Sequence, residues 1–166
     1  MKTLYVIRHA KSSWDFPQLS DFERPLNDRG NRDAPLMGTR LRDRGILPDC
    51  LVSSSALRAR ETSIKISAKI GFPEQSILFR RGVYEAGVPS LLKEIEAFPE
   101  DAASAFLVGH NPGLTDLVEY LTGEYIGNLP TSGVACIEMD MDDWTLAGKG
   151  LGRLVFLDYP KKDFSA

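Results

Sequence analysis

The sequence contains few cysteines, and their positions exclude two kinds of thiol chemistry. Only Cys50 and Cys136 are cysteines among the 166 residues, and they do not form a C-x-x-C pair. A tyrosine-phosphatase nucleophile would need an arginine six positions after the cysteine, but Ala56 and Asp142 stand there. Two isolated cysteines are typical of a protein from a reducing compartment, so we expect two buried, apolar thiols.

Long apolar runs are also absent, which excludes a membrane span. The first apolar run, residues 4–7, is too short for the apolar region of a signal peptide, and no run approaches the roughly 20 residues of a membrane-spanning helix. The net charge of −3 lacks the basic surplus that is usual in nucleic-acid-binding proteins. We therefore expect a cytoplasmic protein that binds neither membranes nor nucleic acids.

The apolar runs that are present are short and alternate with segments of helical pattern. The sequence predicts strands near 4–7, 51–52, 77–79 and 105–108, and helices over 28–44, from about 56 to 70, from 89 and from 112. Asn27 is the predicted N-cap of the first helix, and any of the serines at 53–55 could cap the second. Two further strands are predicted at 133–140 and 151–158.

This alternation is typical of a three-layer α/β/α fold in which helices cover both faces of a mostly parallel sheet. The last two strands predict an antiparallel pair at the C-terminal end of the chain. No repeat, low-complexity stretch or linker divides the sequence. We therefore expect one α/β domain over residues 1–166.

Both histidines of the chain follow predicted strands. His9 comes after the first strand together with Arg8, His110 comes after the fourth, and Arg58 follows the second. The carboxyl ends of parallel strands form one edge of a sheet, where α/β proteins bind ligands. Arginine's planar guanidinium suits phosphate or carboxylate oxygens, and Arg58 falls in a first helical turn, which also favours anions. A structural histidine and a solvated helix arginine are the alternatives for each residue taken alone.

Three segments resemble motifs of the histidine phosphatase superfamily. Residues 4–11 (LYVIRHAK) resemble its Arg-His-Gly signature, with Ala10 as another small residue in place of the glycine. Residues 53–62 (SSSALRARET) look like its second-arginine motif, and residues 108–113 (VGHNPG) are similar to its second-histidine motif. The short chain, residues 24–30 (RPLNDRG), residues 84–86 (YEA) and the ending at 157–160 (LDYP) look like the SixA-type phosphohistidine phosphatases.

The resemblance implies a phosphatase that works through a covalent intermediate. His9 would attack phosphorus and form phosphohistidine, which water would hydrolyse, while Arg8, Arg58 and His110 bind the phosphoryl oxygens. Glu85 is the candidate proton donor, with Asp15 and Asp21 as weaker candidates. No group of His, Asp, Glu and Cys has metal-ligand spacing, so we expect metal-independent hydrolysis without a cofactor.

The resemblance also suggests a partner, namely a phosphorylated protein such as a histidine phosphotransfer domain or a carrier protein. Two alternatives remain open from the sequence. One is a phosphatase of small phosphoesters on the same fold. The other is a non-catalytic module that binds phosphorylated proteins, against which the intact nucleophile argues.

Overall fold

The computed structural model describes residues 1–162 as six strands and four α-helices. The strands are β1 (Lys2–Arg8), β2 (Cys50–Ser54), β3 (Leu78–Arg80), β4 (Ser104–Gly109), β5 (Val134–Met139) and β6 (Gly152–Asp158). The helices are α1 (Asp28–Asp43), α2 (Leu57–Ile70), α3 (Val88–Glu96) and α4 (Gly113–Thr122). The predicted domain continues to residue 166, and its last four residues lie outside the described part.

All six strands form one sheet with the order β3-β2-β4-β1-β5-β6. The first four strands in this order are parallel, β5 is antiparallel to β1, and β6 is antiparallel to β5. The predicted mostly parallel sheet with an antiparallel C-terminal pair is therefore confirmed. The order matters for the site because it makes β1 and β4 neighbours, with Arg8 opposite Gly109.

The middle parts of the central strands, such as residues 105–108 of β4, are continuous apolar runs, as expected where helices cover both faces of a sheet. On one face, α3 and α4 bury residues such as Leu91 and Leu117 against Leu107. On the other face, α1 and α2 bury Met37 and Ile66 in a second cluster with Phe106 and Val108. Neighbouring residues of β4 thus point to opposite faces, as the period of two requires. These are the three predicted layers.

Local signals placed most helix ends correctly. The Asn27 side chain caps α1 by accepting a hydrogen bond of 2.9 Å from the backbone of Gly30. The predicted serine cap of α2 is wrong, since Ala56 occupies the N-cap position and no side chain caps it. Ser53 and Ser54 instead extend β2, where both are fully buried. Because the strand ends in polar residues, its apolar run is shorter than the strand itself.

Two further sequence expectations concern thiols and membranes. Cys50 and Cys136 are free and buried, as predicted. Within residues 1–162, no helix is both long and apolar enough to cross a membrane.

Candidate active site

The pairing of β1 with β4 brings the two histidines together. Arg8 lies opposite Gly109 in register, so His9 and His110 follow at the same edge of the sheet. The His9 amide donates to the Gly109 carbonyl at 3.0 Å, and the two imidazole ring centroids are 5.1 Å apart. Residues far apart in the chain therefore meet at the carboxyl edge, as the sequence predicts.

A cavity of about 220 Å³ opens at this edge. Four of its lining residues are the predicted phosphate-site residues: Arg8, His9, Arg58 and His110. The remaining lining residues are polar, cationic or aromatic: Lys11, Ser12, Trp14, Arg24, Asn111 and Thr131. The cavity thus presents four cationic side chains, an arrangement suited to an anion.

The protonation state of His9 follows from its hydrogen bond. Its Nδ1 lies 2.7 Å from the Ala10 carbonyl oxygen, which can only accept, so Nδ1 carries the proton and Nε2 keeps a free lone pair. Burial lowers the pKa of His9 to about 3, and the nearby Arg58 and Arg8 act in the same direction, against the effect of the Ala10 hydrogen bond. His9 is therefore a neutral imidazole at physiological pH, as a nucleophile must be.

His110 is held by a serine that the sequence suggested only as a helix cap. Its Nε2 lies 2.7 Å from Ser54 Oγ, which also accepts a hydrogen bond of 3.1 Å from the Ala56 amide. Burial and the charge of Arg58 lower the pKa of His110 to about 4. The ring is neutral, and its Nδ1 is buried without a hydrogen-bond partner in the described residues.

Both arginines make hydrogen bonds through their terminal nitrogens, Arg8 through one and Arg58 through two. Arg8 Nη1 donates to the Leu129 carbonyl at 3.1 Å, and Arg58 uses both terminal nitrogens on Asp21. The Nε atoms of both arginines are buried and have no partner within residues 1–162. Burial, followed by the charge of Arg58, lowers the pKa of Arg8. Buried donors rarely lack partners, so these groups point to a bound anion.

The segment after His9 is held against α2 by a hydrogen bond and against α1 by a close backbone contact. The Ala10 amide donates to Thr62 Oγ1 at 2.9 Å, and that hydroxyl donates to the Arg58 carbonyl at 2.7 Å. A Cβ atom at Gly30 would stand 2.1 Å from the Lys11 carbonyl oxygen, so only glycine fits there. These contacts set the positions of His9 and Arg58 relative to each other.

The structure separates the three carboxylates considered as proton donors. Glu85 is exposed, has a left-handed φ of 55°, and lines a neighbouring cavity of about 250 Å³ that shares His110 with the first. Asp15 lines a different cavity. Asp21 contacts Arg58 directly. None of the three is among the residues that line the cavity with His9. The role of Glu85 stays a prediction.

Sequence reasoning did not assign site roles to Arg24 and Tyr84. Arg24 is buried, donates to Ser12 Oγ at 2.7 Å, and stacks on Trp14 with its guanidinium carbon 3.7 Å from the ring centroid. The Tyr84 ring lies edge-on to His110 at 5.4 Å. Both residues belong to segments that resemble the SixA subgroup, and that resemblance was the one signal that could have identified them.

Comparison with known proteins agrees with this geometry. The model of the histidine phosphatase superfamily (branch 1) matches residues 4–88, which include Arg8, His9 and Arg58. The chain belongs to this superfamily. An uncharacterized chloroplastic protein of Arabidopsis thaliana is 31% identical over 171 residues, covering 96% of this chain and 78% of the relative. His110 lies beyond the residues that the family model matches, and the fold brings it to the cavity.

Solved structures resemble this phosphatase over nearly their whole length. The protein histidine phosphatase SixA complexed with tungstate has a TM-score of 0.81 and 23% identity, covering 95% of this chain and 96% of that one. At this identity the likeness concerns the fold. A SixA of Agrobacterium tumefaciens, proposed to be a phosphohistidine phosphatase, has a TM-score of 0.82 and 29% identity, covering 96% and 98%. The predicted SixA-type relationship and the class of histidine-dependent phosphatase are confirmed.

The two neutral histidines should make the stability of the phosphatase depend on pH. In the unfolded chain each histidine has an ordinary pKa of 6.5, whereas in the folded chain the values are about 3 and about 4. The unfolded state binds more protons below pH 6.5, so acid destabilises the fold. From about pH 8 to pH 5 the free energy of unfolding should fall by about 2 kcal/mol per histidine.

Chemical denaturation at both pH values measures this fall. In a variant with His9→Gln and His110→Gln, the difference in the free energy of unfolding between pH 8 and pH 5 should be about 4 kcal/mol smaller. This comparison distinguishes the contribution of the histidines from that of the carboxylates. An equal pH dependence in both proteins would contradict neutral, buried histidines.

An oxyanion should bind in the 220 Å³ cavity, because Arg8, Arg58 and His110 line it and each has a buried nitrogen without a hydrogen-bond partner in residues 1–162. A crystal soaked in vanadate or tungstate should show the anion within hydrogen-bond distance of these groups and of His9 Nε2. In titration calorimetry, Arg58→Ala should weaken the binding. An anion bound elsewhere, with this cavity empty, would contradict the site.

Proposed function

We propose that this phosphatase is a single domain that hydrolyses phosphohistidine on a phosphorylated protein through a phosphohistidine intermediate on His9. The observation that carries the proposal is the hydrogen bond from His9 Nδ1 to the Ala10 carbonyl. It leaves Nε2 unprotonated beside two guanidinium groups and a second imidazole. A nucleophile with a lone pair next to fixed cations suits attack on a phosphoryl group.

The reaction takes two in-line steps. In the first, His9 Nε2 forms a bond to phosphorus while the bond from phosphorus to the substrate's ring nitrogen breaks, and the electron pair returns to that ring. In the second, water attacks phosphorus, His9 Nε2 leaves with its electron pair, and inorganic phosphate is released. Arg8, Arg58 and His110 would stabilise the charge on the non-bridging oxygens in both steps, as fixed donors do for spread phosphoryl charge.

His110 can serve as such a donor when its proton is on Nδ1. Ser54 Oγ accepts from the Ala56 amide and can donate its hydroxyl proton to His110 Nε2. That arrangement leaves the His110 proton on Nδ1, which is buried and has no partner among residues 1–162. The neutral ring then donates to the anion without requiring a charged imidazole.

The ionisation states of Asp21 and Tyr84 favour a substrate whose leaving group does not have to be protonated by the enzyme. Burial opposes ionisation of Asp21, but hydrogen bonds from Tyr84 and Arg58 outweigh it and hold the pKa of Asp21 at about 2. Burial and the Asp21 hydrogen bond raise the pKa of Tyr84 to about 12. Neither group is a good acid near neutral pH, and the leaving imidazole of phosphohistidine is already a good leaving group when protonated.

The rim of the cavity supports a protein substrate. Trp14 lines the cavity, yet its side chain is 74% exposed, and the neighbouring Phe16 is 43% exposed. Exposed aromatic side chains beside a reactive pocket are typical of protein-binding surfaces. Residues 9–27, which carry this rim, contain one turn of 3-10 helix and no larger element. We infer that a side chain projecting from a folded partner reaches His9 past this rim.

A comparison of kcat/KM between protein and small-molecule substrates tests the proposed substrate. A phosphohistidine-carrying protein should have a higher kcat/KM than sugar phosphates or phosphoglycerate, because remote contacts with a partner convert binding energy into rate. Turnover of each substrate under the same conditions provides the ranking. If a metabolite is clearly the best substrate, the chain is instead a phosphatase of small phosphoesters.

Metal independence is part of the proposal, because the guanidinium groups of Arg8 and Arg58 can supply the charge that a metal ion would bring. In residues 1–162, no three His, Cys, Asp or Glu side chains form a group that could hold a metal ion.

A further inference from the structure

Asp21 makes more contacts with the phosphate-site residues than any sequence signal suggested. Its Oδ2 accepts from Arg58 Nη2 at 3.0 Å and from the Tyr84 hydroxyl at 2.6 Å. Its Oδ1 accepts from Arg24 Nε at 3.1 Å, and its backbone carbonyl accepts from Arg58 Nη1 at 2.6 Å. One residue in a single 3-10 turn (Asp21–Glu23) thus binds two cavity-lining arginines and the tyrosine that lies against His110.

These contacts restrict what Arg58 can offer to a ligand. Its side chain is 7% exposed, and both terminal nitrogens already have Asp21 as a partner. Its Nε is buried and has no hydrogen-bond partner in the described part of the chain. A planar guanidinium held at two nitrogens has one orientation, and its rotamer entropy is lost before the substrate arrives.

Asp21 also moderates the positive charge of the cavity. Arg8, Lys11, Arg24 and Arg58 all line it, and the Asp21 carboxylate forms ion pairs with two of them. Since the pKa of Asp21 is about 2, the carboxylate is ionised at every pH near neutrality. Without it, the cavity would carry one more net positive charge and would hold an anionic product more tightly.

We propose that Asp21 is a positioning residue of the phosphatase, which fixes the Arg58 guanidinium for phosphoryl transfer at the expense of the site's affinity for phosphate. It does not touch the reacting atoms, and it acts through Arg58, with Arg24 and Tyr84 as its other partners. The inference rests on the proposed site, in which Arg58 binds the phosphoryl group.

The test compares turnover with product binding in Asp21→Asn, which keeps the backbone contact and removes the charge. With p-nitrophenyl phosphate, kcat should fall roughly 10- to 100-fold because Arg58 is no longer aligned. In calorimetry, inorganic phosphate should bind more tightly than to the wild type, by up to about tenfold, because a competing carboxylate is gone. The control is Glu23→Gln in the same 3-10 turn, which should change neither value.

A structural role would give a different pattern, since a collapsed cavity loses turnover and phosphate affinity together. That result, or an unchanged kcat, would overturn the proposal. Should Asp21→Asn fail to fold, Tyr84→Phe removes one hydrogen bond to the carboxylate, and kcat should fall while phosphate affinity is kept; unchanged turnover would count against the role. In an Arg58→Ala background, Asp21→Asn should cost little further activity, and a full additive loss would show that Asp21 does not act through Arg58.

These measurements use an aryl phosphate and inorganic phosphate, so they do not depend on the identity of the natural substrate. A wild-type protein that hydrolyses p-nitrophenyl phosphate but no phosphohistidine protein would refute the proposed substrate alone. Phosphate binding that is insensitive to Arg58→Ala would refute the proposed site.

Discussion

Replacing His9 with alanine should abolish turnover, whereas replacing His110 with alanine should leave a measurable rate. His9 Nε2 is the nitrogen with a free lone pair in the cavity, so its loss removes the covalent route. In the proposed mechanism His110 only stabilises charge. The loss of one such donor costs about 10²–10³ in rate. If that loss slows hydrolysis of the intermediate more than its formation, phosphoenzyme should accumulate in His110→Ala.

Rapid quenching without acid, with labelled substrate and mass spectrometry, would locate the phosphoryl group on the chain. We expect label on His9 in the wild type and in His110→Ala. Ser54→Ala is a useful companion, because it removes the partner of His110 Nε2 and should reproduce part of the His110→Ala effect. Label on His110, or an active His9→Ala protein, would contradict the assignment of the nucleophile.

Alkyl phosphates should be hydrolysed about 10²–10⁴ times more slowly than phosphohistidine, a difference equal to the usual contribution of a general acid. The Asp21 carboxyl is ionised at neutral pH and the Tyr84 hydroxyl has a pKa of about 12, so neither readily protonates a leaving alkoxide. Glu85, the candidate donor, is not among the residues that line the cavity with His9, so this ranking assumes that it does not act as a general acid. An aryl phosphate, whose leaving group needs no proton, should have a kcat/KM close to that of free phosphohistidine, which also lacks the contacts of a protein substrate. The measurement is kcat/KM for serine phosphate, p-nitrophenyl phosphate and a phosphohistidine substrate.

Comparing these substrates in Glu85→Gln and in the wild type tests whether Glu85 is the proton donor. The residue lies beside His110 in the neighbouring cavity, and its φ of 55° is unusual for a glutamate. If Glu85→Gln slows serine phosphate further and spares the aryl phosphate, Glu85 is the donor. If serine phosphate is as good a substrate as phosphohistidine in the wild type, a general acid is present and the expected ranking is wrong.

Much of the fold could be predicted from the sequence because its signals are local. Apolar runs marked β1 and β4, and Asn27 marked the start of α1 through a cap that forms within three residues. The end of β2 was missed, since Ser53 and Ser54 are buried polar residues at a strand end. Their burial depends on packing, and Ser54 is buried in contact with His110.

By itself, therefore, the sequence determined which residues stand at strand ends, and with them the candidates His9, His110, Arg8 and Arg58. Tertiary structure decided which strand ends are neighbours, because strand order depends on packing over the whole chain. Only the β1–β4 pairing brings the two imidazoles to 5.1 Å. The tertiary structure also decided the Asp21 contacts, which join residues 21–23 to α2 and to Tyr84. No local sequence pattern encodes these contacts.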